Sequence, residues 1–93
     1  MKRIYKYNLA RNAEQDIDMP NGSKVLSTMG QHGNVVLYVL TDDDSPEERE
    51  IHTIITIGTG RNADSVENCR FIGTVSLYGG NEMYHVFEKQ NIS

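Results

Sequence analysis

Apolar and polar positions exchange with a period of two along most of this chain, the spacing of β-strands, whose successive side chains point to opposite faces. Residues 2–9 set Arg3, Tyr5, Tyr7 and Leu9 on one face and Lys2, Ile4, Lys6 and Asn8 on the other. The second face carries three charged or amide side chains, so the tyrosine face is expected to pack inward, its phenols finding partners or a wet rim. A short strand follows from Glu14 to Met19, and Pro20-Asn21-Gly22 ends it as a turn. Residues 23–31 and 34–41 then predict a hairpin through Gln31-His32-Gly33-Asn34. Val35 to Leu40 is apolar without alternation, as in a strand covered on both faces, which marks it as the sheet centre.

The second half continues in the same style after one interruption. Ser45-Pro46-Glu47-Glu48 combines a cap residue, a proline suited to the first helical position and a capping-box carboxylate, and predicts one short helical turn. A strand from Glu50 to Ile57 is closed by Gly58-Thr59-Gly60. A polar loop runs from Arg61 to Asn68, with a turn begun at Asp64. Two last strands, Cys69 to Tyr78 and Met83 to Glu88, are joined across Gly79-Gly80-Asn81. The expected fold is a single mainly β domain over residues 1–93, a small antiparallel β-sandwich or barrel of about six to seven strands with one short helical turn.

Composition narrows the functions this fold could carry. At 93 residues the core is thin, and a subunit interface would add the apolar burial it lacks, so a homo-oligomer is expected. A net charge of −4 argues against general nucleic-acid binding, which rests on many Lys and Arg contacts to phosphates. The charge is uneven: Lys2, Arg3, Lys6 and Arg11 make the beginning basic, whereas Asp42, Asp43, Asp44, Glu47, Glu48 and Glu50 make the middle acidic. One cysteine, Cys69, excludes an intramolecular disulfide and any C-x-x-C motif, and a small buried hydrophobe is its expected role. No apolar run reaches membrane-spanning length and the N-terminus has no signal-like apolar region, so a cytoplasmic protein without membrane contact is expected.

Candidate chemistry is sparse. His32, His52 and His85 lack metal-ligand spacing, and no G-x-S-x-G or H-E-x-x-H occurs, so the expectation is a protein that is not an enzyme and holds no cofactor. Asp42, Asp43 and Asp44 offer hard oxygens without the spacing or glycine of a calcium loop, and no metal site is assigned to them. The most suggestive segment is Gly58-Thr59-Gly60-Arg61-Asn62. Glycines let backbone amides converge on an anion, a hydroxyl adds a donor and the guanidinium supplies a planar charged fork; the alternative is a turn that needs positive φ at its glycines. The tyrosines offer faces on which a base could stack.

The order of several motifs resembles a family of small proteins found widely in tailed-phage and prophage genomes. They are Ile4-Tyr5-Lys6-Tyr7-Asn8-Leu9, Gln15 through Ser23, Ile57-Gly58-Thr59-Gly60, Phe71-Ile72-Gly73-Thr74-Val75 and Tyr84-His85-Val86-Phe87-Glu88. The resemblance implies a phage accessory protein, transfers no catalytic residue and makes the host cytoplasm the expected location. By analogy with oligomeric counter-defence sponges, the leading expectation is a non-enzymatic binder of a small phosphorylated or nucleotide-derived immune signal. In that reading Gly58, Thr59 and Gly60 contact phosphate, Arg61 pairs with its charge, and Tyr5, Tyr7 or Tyr84 stacks on the base. The alternatives are an inhibitor that docks on a host defence protein through the acidic 42–50 segment, and a virion or assembly component.

Overall fold

A computed structural model describes residues 1–90. Seven strands run in chain order: β1 (Lys2–Leu9), β2 (Ala13–Pro20), β3 (Lys24–Gln31), β4 (Asn34–Asp42), β5 (Arg49–Gly58), β6 (Arg70–Leu77) and β7 (Glu82–Glu88). They form two antiparallel sheets, one in the order β1-β4-β3 and the other β2-β5-β7-β6. Of the sandwich or barrel expected from the alternation, the two sheets form the sandwich, with β4 at the centre of the smaller sheet.

The inward faces supply the core. Leu9, Val25, Val35, Leu37 and Val39 from the three-stranded sheet meet Met19, Ile54, Val75, Leu77, Tyr84 and Val86 from the four-stranded one. Fully burying one such aliphatic side chain is worth roughly 1.5–3 kcal/mol, so these inward positions set both the register and the sheet pairing. The layers come closest where β3 crosses β6. A methyl group built on Gly30 would meet Leu77 Cδ2 at 2.7 Å and the Ser76 carbonyl oxygen at 2.8 Å, so this contact requires glycine. A second apolar cluster, Ile55, Ile57 and Val66 with Phe87 and Cys69, lies on the outer face of β5, where the chain after Gly58 folds back over it.

Three connections pass between the sheets. At Arg11-Asn12 the Asn12 φ is +50°, at Gly22 it is +81°, and residues 43–48 make the third crossing. The β3–β4 hairpin turns at His32 and Gly33, both in the left-handed region that fits the twist of a two-residue loop. A 3₁₀ turn forms at Asp64–Val66, as expected, and a second at Tyr78–Gly80.

Two expectations are corrected. Residues 45–48 form a plain turn, in which the Glu48 amide donates to the Ser45 carbonyl at 3.2 Å. The chain enters β5 at Arg49, leaving too few residues to nucleate a helix. On β1 only Leu9 is buried and Tyr7 half-buried, while Arg3 and Tyr5 stay exposed. The strand pairs with β4 alone, and its first half lies at the open edge of the sandwich. Among the described residues no helix is long and apolar enough to cross a membrane.

Candidate functional site

The residues with the most to offer gather at one end of the sandwich, where the Arg11-Asn12 crossing, the end of β5 and the start of β7 converge. Asn12 Oδ1 accepts the Gly58 amide at 2.7 Å. That bond ties the crossing between the sheets to the glycine segment. Beside it, Arg11 donates to the Gly33 carbonyl and to the Tyr78 hydroxyl. Its guanidinium carbon lies 5.8 Å from the Tyr78 ring centre and 5.9 Å from that of Tyr84, within cation–π range. Glu82 completes the group, 4.0 Å from Arg11 and accepting the Tyr84 hydroxyl at 2.5 Å. That hydrogen bond, with burial adding to it, raises the Tyr84 pKa and keeps the phenol neutral.

The glycine segment differs from a simple amide cradle. The Gly58 amide is held by Asn12, that of Thr59 donates to the Met83 carbonyl at 3.1 Å, and that of Arg61 to the Gly58 carbonyl at 3.2 Å. Within Gly58–Arg61 only the Gly60 amide is left without a partner among the described residues. Gly60 sits at φ +87°, so the turn needs its freedom, whereas Gly58 ends a strand. The Thr59 hydroxyl meets His85 Nε2 at 2.8 Å, and His85 Nδ1 meets the Thr74 hydroxyl at 3.0 Å. What the segment presents is therefore one amide, a hydroxyl shared with an imidazole, and the Arg61 guanidinium.

Arg61 has no carboxylate partner among the described residues. Each of the other four arginines has one: Arg3 with Asp43, Arg11 with Glu82, Arg49 with Asp18 and Arg70 with Glu88. Arg61 also stands in the walls of three clefts. One of about 310 Å³ includes Asn12, Gly58, Thr59, Glu82 and Tyr84, and one of about 170 Å³ includes Gly58, Thr59, Gly60, His85 and Phe87. The third, about 370 Å³, opens toward Ala13, Glu14 and Ile55. Among the described residues Arg61 is thus an exposed guanidinium without a carboxylate partner, the kind of group that can pair with an anion.

Of the residues expected to form a site, Gly58, Thr59, Gly60, Arg61 and Tyr84 come together here. Tyr5 and Tyr7 do not join them. Tyr7 packs against the core, and the Tyr5 hydroxyl donates to Asp43 at 3.2 Å, toward the other end of β1. Asn12 and Glu82 escaped the sequence reading. An asparagine in a polar break between two strands was the available signal for Asn12, since asparagine tolerates positive φ. The Asp42–Asp44 carboxylates do converge, but onto the chain's own cations. The Met1 amino group lies within ion-pair distance of all three, and Arg3 Nε donates to Asp43 at 2.6 Å. The remaining histidine, His52, lies between Glu50 and Glu88, with its nitrogens 2.5 and 2.6 Å from their oxygens.

Comparison with known families matches residues 1–93 to one model, the domain of unknown function DUF7352. The chain belongs to that family. No curated protein and no solved structure matches it. The family fixes the extent of the relationship without assigning a role.

Proposed function

We propose that the protein is a non-enzymatic binder of a small phosphorylated, nucleotide-derived ligand. The phage accessory setting, with the ligand as a defence signal held out of circulation by a homo-oligomer, belongs to the same proposal and comes from the motif resemblance described above. The observation that carries it is the Arg61 guanidinium, without a carboxylate partner among the described residues and flanked by the Gly60 amide, the Thr59 hydroxyl and clefts on either side. A charged fork, an amide and a hydroxyl within a few residues are the donors that a phosphate group needs.

The protein-inhibitor reading has less behind it. Asp42 and Asp43, central to an acidic mimic, are engaged by the Met1 amino group and Arg3.

Titration calorimetry with pyrophosphate, AMP, ADP-ribose and cyclic dinucleotides tests the proposal. At least one of these should bind the wild type. Because a hydrogen bond to a charged group is worth about 1.5–3 kcal/mol, Arg61→Ala should weaken binding roughly 10- to 150-fold. If none of them produces heat or a thermal shift, or if Arg61→Ala leaves binding intact, the proposal fails.

A further inference from the structure

The two clefts that share Gly58, Thr59 and Arg61 differ in chemistry, and the difference describes a ligand. The smaller one is walled by Ile57, Ala63 and Phe87 together with the His85 ring. Phe87 is half-buried and packs at 5.4 Å, tilted, on Phe71. Apolar walls and an aromatic ring suit a flat, weakly polar group such as a nucleobase.

The larger cleft suits the opposite kind of group. It is walled by Asn12, Asn81, Glu82 and Tyr84. Glu82 uses Oε1 toward Tyr84 and Arg11, and among the described residues its Oε2 has no partner. A carboxylate oxygen accepts hydrogen bonds and donates none, and side-chain amides do both, so this set fits neighbouring hydroxyl groups. Taken together the two clefts have the capacity of a small-molecule site, roughly 300–1,000 Å³.

We infer that the ligand is a nucleotide whose phosphate carries a second, hydroxyl-rich group. The base lies in the Phe87 cleft, the phosphate at Arg61 and the hydroxyl-bearing sugar against Glu82. This rests on the anion-site reading above and adds a polarity to it: the two ends of the ligand are chemically different, and a ligand with a base at each end is disfavoured.

The test compares ADP-ribose, AMP, ribose 5-phosphate and cyclic di-AMP by calorimetry on the wild type and four variants. ADP-ribose should bind at least tenfold tighter than AMP, and Glu82→Gln should erase that advantage without weakening AMP binding. Tyr84→Phe removes the phenol bond to Glu82 and should keep the preference, which separates recognition from support. Phe87→Leu should weaken AMP and ADP-ribose several-fold but not ribose 5-phosphate. Equal affinity for AMP and ADP-ribose, a preference indifferent to Glu82→Gln, or tighter binding of cyclic di-AMP would overturn the inference. In each of those cases, binding still lost in Arg61→Ala leaves the anion site standing. Absence of binding by every compound removes both.

Discussion

Asn12 is the residue whose replacement best tests how this end of the molecule is built. It holds φ at +50°, where a side chain with a Cβ is strained, and its Oδ1 accepts the Gly58 amide at 2.7 Å. Asn12→Ala removes the bond, worth about 0.5–1.5 kcal/mol at a partly exposed site. It also leaves alanine in the left-handed region, where an L-residue without a short polar side chain pays about 1–2 kcal/mol. The two effects together come to about 2 kcal/mol. For a domain of this size that lowers Tm by roughly 8–16 °C, at about 4–8 °C per kcal/mol. Asn12→Gly isolates one of the two, since glycine accepts the backbone angle and loses only the hydrogen bond, so its loss should be about half as large. Asn12→Asp keeps both the acceptor and the tolerance of positive φ, and should remain within a few degrees of wild type. Thermal denaturation followed by circular dichroism on the three variants reads this directly. Equal losses in Ala and Gly would mean that the backbone angle costs nothing. A loss in Asp as large as in Ala would mean that the Gly58 bond is not what Asn12 supplies.

Two further outcomes follow from the packing and the charges. Gly30→Ala should destabilise the fold by about 1–3 kcal/mol in urea titrations, the usual penalty for overpacking, because its methyl would press on Leu77 and the Ser76 carbonyl. Gly22→Ala meets nothing within 4 Å and should cost only the strain of φ +81°, about 1–2 kcal/mol, so a larger loss there than at Gly30 would contradict this account. At the other end, the Asp42 pKa lies below its ordinary value, chiefly through the Asp44 amide. For Asp43, burial pushes the pKa upward, but the hydrogen bonds from Arg3 and Tyr5 outweigh it and the net shift is also downward. Carboxyls whose folded pKa is depressed stabilise above the ordinary carboxylate range and lose that contribution as pH falls through the lowered values. The protection factor of the Arg3 amide, which faces Thr41 of β4, should therefore fall as pH drops below about 4, an effect that Asp43→Asn should reduce. A protection factor independent of pH in that range would show that the acidic turn does not hold the strand end.

Much of the architecture was legible in the chain because alternation is a local property. A period of two in residues 2–9, the unbroken apolar run from Val35 and the glycine-asparagine breaks are set by neighbouring side chains and backbone sterics, and all reappear as strands and turns. The expected helical turn at Ser45 failed for the complementary reason: a favourable cap cannot nucleate a helix when the next strand claims the chain four residues later. The candidate site was legible only in part. Gly58 to Arg61 stood out as a segment, but the partners that spend three of its amides come from positions 12, 83 and the turn itself.

What the sequence alone determined is the list of strands and which face of most of them is apolar. What only the tertiary structure decided is how those strands divide between two sheets, and therefore which distant side chains share an end. Arg61 illustrates the reason. A guanidinium looks the same in any sequence, and whether it is neutralised depends on carboxylates brought near by long-range pairing. Here, among the described residues, four arginines receive such partners and the fifth does not.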